Sequence, residues 1–341
     1  MINFALVGCG RISKRHAGLL GKNQINGAKL VSVCDIDISK AKRIANLYKV
    51  KAYDNMDIMM KNENVDIVVV LTPSGLHAQH VISLSKYKKN IIVEKPMALN
   101  VKDANLMIDS CNKNGCKLFV ILQNRFNIPV IKLREAKEKG RFGKIILGTV
   151  RVRWSRSQDY YNQDPWRGTK SMDGGVLSNQ AIHHIDLLEW MIGDVESVFA
   201  KTSTSLLNIE AEDTAVATIK FKNGALGIIE ATVATRPKDL EGSISLLGEK
   251  GSVVISGFAV NKLQSWNFIE KETEDIDVKK IYSNNPPDIY GFGHKTYYEN
   301  VVKSILNNDS NIVNGSEGKK SLKLIEAIYK SAELGKEIFL N

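Results

Sequence analysis

The sequence predicts an α/β protein built in two unlike halves. From Met1 to about Val120, short apolar runs alternate with amphipathic stretches of helical period, and past Gly143 apolar and polar residues alternate singly between turn signals. Strands that alternate with helices pair in parallel through right-handed crossovers, whereas strands joined by tight turns pair antiparallel.

In the first half, Ile2 to Val7, Lys29 to Cys34, Val65 to Leu71, Asn90 to Val93 and Lys117 to Ile121 read as strands of a doubly wound parallel sheet. A helix from about Pro129 to Lys139 leads out of it. The second half opens a hairpin in which Ala215 to Phe221 and Ala225 to Val233 flank Lys222-Asn223-Gly224; Asn-Gly marks a hairpin because both turn positions favour positive φ. A second hairpin joins Ser243 to Leu247 and Ser252 to Ser256 through Gly248 to Gly251. This half is expected to form a mostly antiparallel sheet with one face on helices and the other available to a second subunit. Gly293 to Leu306 and Ser316 to Leu334 return to helical spacing. The expected domains are 1–122 and 123–341, with the C-terminal helix free to pack back on the first.

A length of 341 residues exceeds the usual single domain, and 43% hydrophobic with 25% charged residues is ordinary for a globular protein. No apolar run approaches the ~20 residues of a bilayer span, and Met1 leads into a strand without signal-peptide features, so a cytoplasmic protein with no membrane partner is expected. Cysteines at 9, 34, 111 and 116 lack paired CxxC spacing and zinc-like His partners, so neither a disulfide framework nor a metal is expected. The net charge of +10 is spread along the chain. It reflects either plain lysine enrichment or attraction for an anionic small molecule; nucleic-acid motifs are missing, and no nucleic-acid partner is expected.

Gly8-Cys9-Gly10-Arg11-Ile12-Ser13 follows the first strand and opens a helix. Two glycines there allow a tight turn and bring backbone N–H groups at a helix N-terminus close to a pyrophosphate, which predicts dinucleotide binding by Gly8, Gly10, Arg11 and Ile12. Asp35, ending the second strand, is positioned to accept both adenosine ribose hydroxyls, favouring NAD over NADP; nearby Arg43 leaves that choice open, and Asp35 could instead serve as a strand-end cap. Thr72 and Pro73 end a later strand on the ligand-binding edge, and His77 either touches the cofactor or sits in a first helical turn. Glu94-Lys95-Pro96 closes the run Asn90 to Val93. An ammonium at that strand end can share a proton with a substrate hydroxyl beside a bound nicotinamide, although most lysines are simply exposed. The run Gly174 to Asp186, if helical, puts Asn179, His183 and Asp186 on one side at i, i+4 and i+7, so an amide and an imidazole converge on one substrate.

Gly8-x-Gly10, Glu94-Lys95-Pro96 and Gly174-Gly175 with His183-x-x-Asp186 resemble the Gfo/Idh/MocA oxidoreductases over nearly the whole chain. The resemblance implies a Rossmann domain followed by an α/β domain whose large open sheet supports oligomerisation, here a dimer or tetramer. It also implies a catalytic lysine at Lys95, a commonly cis bond to the following proline, and a substrate-side histidine at His183. Many members carry Asp where this chain has Asn179, and an amide cannot act as a carboxylate base.

A narrower resemblance runs through Gln123 to Asn127, Val152 to Arg156, Tyr160-Tyr161, Pro165 to Thr169, Asn179 to His183 and Gly293-His294-x-x-Tyr297-Tyr298. These are similar to the branch that oxidises C3 of UDP-N-acetylglucosaminuronic acid in the biosynthesis of bacterial surface polysaccharides such as O-antigen. It implies Gln123, Trp166 and Arg167 beside the cofactor and Tyr298 beside the substrate. Some members of that branch regenerate bound NAD(H) by reducing 2-oxoglutarate. A diphosphate and a carboxylate ask for guanidinium groups, which Arg125, Arg153, Arg156 and Arg167 offer, and Trp154, Tyr160, Tyr161 and Trp166 offer stacking faces.

Either His183 or Lys95 serves as the base, the other stabilising the oxyanion while NAD+ takes the hydride. The alternatives are an inositol or free-sugar dehydrogenase of the same family, for which the arginines are superfluous, and a non-catalytic NAD-binding sensor, for which the glycine motif suffices.

Overall fold

The computed structural model of the chain describes residues 1–283, 291–307 and 312–340. It divides into two compact units, Met1–Ile121 with His294–Lys319, and Leu122–Gly293 with Lys320–Asn341.

The first unit runs β1 (Ile2–Val7), α1 (Ser13–Gly21), β2 (Ala28–Cys34), α2 (Ile38–Tyr48), β3 (Lys51–Tyr53), α3 (Met56–Asn62), β4 (Ile67–Val70), α4 (His77–Ser85), β5 (Asn90–Val93), α5 (Val101–Lys113) and β6 (Leu118–Val120). Its six strands are parallel in the order β3-β2-β1-β4-β5-β6. All five strands read from the sequence are present, and β3, three residues long, adds a sixth that carries too few apolar positions to be legible. All four residues of β4 are buried, as a central parallel strand covered on both faces requires. Asp37, Asn55 and Asn100 accept hydrogen bonds from first-turn amides and so start α2, α3 and α5. The strand order reverses between β1 and β4, so the turns leaving those two strands face the same crevice at the carboxyl edge.

The second unit contains α6 (Ile128–Glu138), β7 (Ile145–Arg153), α7 (Gln158–Asn162), a π-helical turn (Val176–Ala181), α8 (Ile182–Ile192), β8 (Val195–Ser203), β9 (Thr214–Phe221), β10 (Leu226–Thr232), β11 (Glu241–Gly248), β12 (Gly251–Ser256), β13 (Lys262–Phe268) and α9 (Val278–Ile281). The chain then continues through α10 (Gly293–Asn307), α11 (Gly315–Leu334) and β14 (Ile338–Phe339). Residues 294–307 of α10 and 315–319 of α11 group with the first unit, and the rest of α11 with the second. The sheet has eight strands in the order β13-β12-β11-β7-β10-β9-β8-β14. It is antiparallel except where β10 runs parallel to β7.

Alternation is clean along β9: Ala215, Ala217, Ile219 and Phe221 are buried against a core that also holds Leu187, Leu188 and Met191 of α8. The opposite face keeps exposed apolar side chains, among them Phe199, Val216, Leu226 and Ile228. Both predicted hairpins form, with one correction. Only Gly224 takes a positive φ, at 85°, while Asn223 does not. Lys222 lengthens the loop to three residues, the Gly224 N–H bonds Phe221 O at 2.9 Å, and a single left-handed glycine then returns the chain to β10.

Candidate active site

In the first unit the turn after β1 is held against the end of β4. Gly8 has φ 101°, and a Cβ there would lie 2.7 Å from the carbonyl carbon and oxygen of Leu71, so only glycine fits. Gly10 is different: a Cβ at that position meets nothing within 4 Å, and its φ is not in the left-handed region. Packing within the chain does not demand glycine there, whereas a pyrophosphate brought against the backbone does, so these residues fit a dinucleotide. Ser13 is fully buried and donates to Gly10 O at 2.6 Å, tying the turn to α1. Exposed Arg11 and half-buried Ile12 complete the turn, and no side chain caps α1, which leaves its first amides for a ligand. Asp35 accepts from the Cys9 N–H at 2.7 Å through Oδ2 and from the Asp37 N–H at 2.9 Å through Oδ1. Its carboxylate therefore stands beside the glycine turn, while Asp37 takes over the capping of α2.

Half-buried Thr72 and Pro73 leave β4, and the Thr72 hydroxyl bonds His80 Nδ1 at 2.9 Å. Lys95 follows β5, and its bond to Pro96 is cis. Glu94 is 6% exposed and accepts the Lys95 N–H at 2.8 Å through Oε2. Its Oε1 lies 3.1 Å from His16 Nε2 on α1, and His16 Nδ1 lies 2.8 Å from the Tyr298 hydroxyl on α10. His294 Nε2 is 3.9 Å from the same Oε1. Burial pushes the Glu94 carboxyl up, but the two imidazoles outweigh it and hold the group well below its usual range, as an anion. His16, Glu94 and His294 also form a group whose ligand atoms all lie within 4.8 Å of one another. Hydrogen bonds from His16 and the Lys95 amide already occupy both carboxylate oxygens. Tyr298, expected beside the substrate, is fully buried with its hydroxyl on His16.

In the second unit the expected regular helix across 174–186 is replaced by the π-helical turn followed by α8. The wider turn takes Asn179 out of α-helical i, i+4 register with His183. Asn179 donates to Asp173, which also accepts the Gly168 N–H at 2.7 Å. The turn is pinned by Glu212, which accepts from the Leu177 N–H at 3.0 Å and the Tyr329 hydroxyl at 2.9 Å. A Cβ on Gly175 would lie 1.8 Å from the Glu212 carboxylate, so the glycine makes room for that group. His183 is 6% exposed at the start of α8.

Arg156, Tyr160, Arg167 and Gln180 form one polar and aromatic cluster. Arg167 donates to the Tyr160 hydroxyl at 2.8 Å and to Asp164 at 2.9 Å, and stacks over Tyr160 and Trp166. Arg156 donates to Asp239 at 3.1 Å and lies over Trp154 and Tyr160. Gln180 reaches both Arg156 and Tyr160 at 3.4 Å. Tyr161 packs edge-on against Tyr160 and is buried, which pushes its phenol up. The other two arginines are likewise paired with carboxylates: Arg125 with Asp186, and Arg153 with Glu230 at 2.6 and 2.7 Å and with Glu241 at 3.2 Å. Gln123 is buried in the short helix before α6.

His16, Glu212 and Tyr329 carry no motif in the sequence because their partners lie far away along the chain, and Asp173, bonded to Gly168 and Asn179 nearby, reads as an ordinary turn residue. Gly175 is the one available signal, since a Cβ there would collide with Glu212.

Residues 2–122 match the NAD-binding Rossmann-fold model of the oxidoreductase family GFO_IDH_MocA, and residues 134–340 match its C-terminal alpha/beta domain. The WlbA dehydrogenase of Bordetella pertussis, solved with NADH and UDP-GlcNAcA, is 40% identical with a TM-score of 0.92, covering 100% of this chain and 99% of that one. The WlbA dehydrogenase of Chromobacterium violaceum, solved with the same two molecules, is 43% identical with a TM-score of 0.93, covering 100% and 96%. Myo-inositol 2-dehydrogenase of Thermotoga maritima is 29% identical over 97% of this chain and 96% of its own length. No helix among the described residues is long and apolar enough to cross a membrane.

Proposed function

The chain belongs to the Gfo/Idh/MocA oxidoreductase family and is an NAD-dependent dehydrogenase, and from that premise we propose that it oxidises the C3 hydroxyl of UDP-N-acetylglucosaminuronic acid to the 3-keto sugar. The observation that carries the reading is 40–43% identity, over the whole chain, to dehydrogenases solved with NADH and that nucleotide sugar. Arg156 and Arg167, stacked on Trp154, Tyr160 and Trp166, supply the guanidinium and aromatic faces that an anionic sugar nucleotide calls for.

NAD+, when bound, accepts the hydride from the sugar carbon. Gly8, Gly10 and the first amides of α1 hold its pyrophosphate, and Asp35 its adenosine ribose. Lys95 and His183 carry the proton chemistry: one takes the hydroxyl proton while the other stabilises the developing oxyanion. Asn179, an amide bonded to Asp173, orients the sugar rather than acting as a base. Recycling of NADH by 2-oxoglutarate, and a role in building the diamino-uronic acids of surface polysaccharides, complete the proposal. The exposed apolar residues on the outer face of the large sheet support assembly into a dimer or tetramer.

The second reading is a free-sugar or inositol dehydrogenase. It draws on the Thermotoga maritima relative and on the carboxylate partner that each of the four candidate arginines already has: Asp186 for Arg125, Glu230 for Arg153, Asp239 for Arg156 and Asp164 for Arg167. Competition by UDP separates the two readings: a nucleotide-sugar enzyme is inhibited competitively against its substrate, and a free-sugar enzyme is not.

A further inference from the structure

His77 is 1% exposed and sits between two backbone carbonyls. Its Nδ1 lies 2.8 Å from Pro96 O and its Nε2 lies 2.8 Å from Thr72 O. A carbonyl oxygen only accepts, and a neutral imidazole carries a single N–H, so a neutral ring would press a bare nitrogen lone pair against one of the two oxygens. Both contacts are satisfied only when both nitrogens carry protons. A buried cation of that kind needs a counter-charge, and anionic Glu94 provides one.

We infer that His77 is a positioning residue for Lys95, working as a buried imidazolium that donates to Thr72 O and Pro96 O and so fixes the backbone on the carboxyl side of Lys95. The amino side is fixed independently by Glu94, which accepts the Lys95 N–H at 2.8 Å and is itself held by His16. Lys95 thus stands between two backbone anchors that come from different side chains. The same ring ties the β5 turn to the β4 turn that carries Thr72 and Pro73, so the two loops are held to one another.

Burial, the largest influence, and His80 on the same helix together pull the imidazole below its ordinary 6.5, against the two carbonyls and Glu94, which raise it. The described groups that act on the ring are therefore one carboxylate beyond β5 and one imidazole on α4. The charged ring therefore rests on geometry, against that pull: two 2.8 Å contacts to obligate acceptors are both met only by a doubly protonated imidazole.

The inference rests on the role proposed for Lys95, but its first test does not. In histidine-15N-labelled wild-type protein, with ring signals assigned through bonds to the backbone, both His77 nitrogens are expected to remain protonated from pH 6 to pH 8. A His77 ring with one unprotonated nitrogen at pH 7 overturns the inference, whatever the substrate proves to be. The second test compares H77Q with wild type at saturating NAD+: kcat falls at least tenfold, while the Kd for NADH changes less than threefold. An unchanged kcat, or a loss confined to NADH binding, removes the positioning role. A wild-type enzyme that turns over no nucleotide sugar defeats the functional reading instead, and leaves the ring titration standing.

Discussion

Asp186 accepts two parallel hydrogen bonds from Arg125, 2.8 Å from Nε and 2.7 Å from Nη2, with both side chains less than a tenth exposed. The pair joins the short helix before α6 to α8, the helix that carries His183, and Arg125 also stacks over Trp190. A guanidinium committed in this way anchors the site's scaffold rather than gripping a phosphate.

Removing one partner of such a buried pair leaves an uncompensated charge and costs about 3–5 kcal/mol. Arg125→Leu is therefore expected to lose stability of that order in urea denaturation, and Arg125→Lys to lose part of it, since an ammonium cannot make the paired bonds. Stability within 1 kcal/mol of wild type for Arg125→Leu would contradict the scaffold role.

Lys95→Met and His183→Asn are each expected to lower kcat by about 10²–10⁴-fold, the range general acid–base groups contribute, with NADH binding retained. The pH–rate profiles of the two variants identify the base, because the variant that loses it also loses the acid limb. Wild-type kcat in both would remove these residues from the chemistry.

Asp35 stands at the end of β2 with its carboxylate on the glycine turn. Asp35→Ser removes the acceptor for the ribose hydroxyls and the charge that repels a 2′-phosphate, so kcat/KM falls for NAD and the preference over NADP narrows. An unchanged NAD to NADP ratio contradicts that placement.

His184 is fully buried, packs edge-on against Trp154, and has neither ring nitrogen hydrogen-bonded; burial depresses it from the ordinary 6.5 to about 4. The unfolded chain then binds the proton more readily than the folded one between those values, so the stabilising effect is complete above pH 6.5 and is lost as pH falls toward 4. His294, depressed to about 4 by burial, acts in the same direction. His184→Phe should reduce proton uptake on unfolding at pH 5.5 by close to one proton, read from the pH dependence of denaturation. An unchanged slope would mean that His184 is not buried neutral.

The strand and helix spans were legible because periodicity records burial. β4 shows an unbroken apolar run and β9 a strict alternation, and each is buried accordingly. Gly8 and Gly10 were legible from their place between strand and helix. The π-helical turn was not, because its cause is Glu212, reaching in from the segment before β9 to accept the Leu177 N–H. The roles of Arg125 and Arg153 were likewise hidden: an arginine in sequence reads as an available charge, and only folding brings Asp186, Glu230 and Glu241 to it. Tyr298 reads as a substrate contact until α10 brings its hydroxyl to His16.

Oxidation of the nucleotide sugar is read most simply from absorbance at about 340 nm, the reduced-nicotinamide band, after UDP-N-acetylglucosaminuronic acid is added to purified protein with NAD+. A rise is expected that Lys95→Met abolishes and that 2-oxoglutarate reverses or turns over. A flat trace with this substrate, alongside a rise with myo-inositol or a free sugar, would contradict the proposed activity.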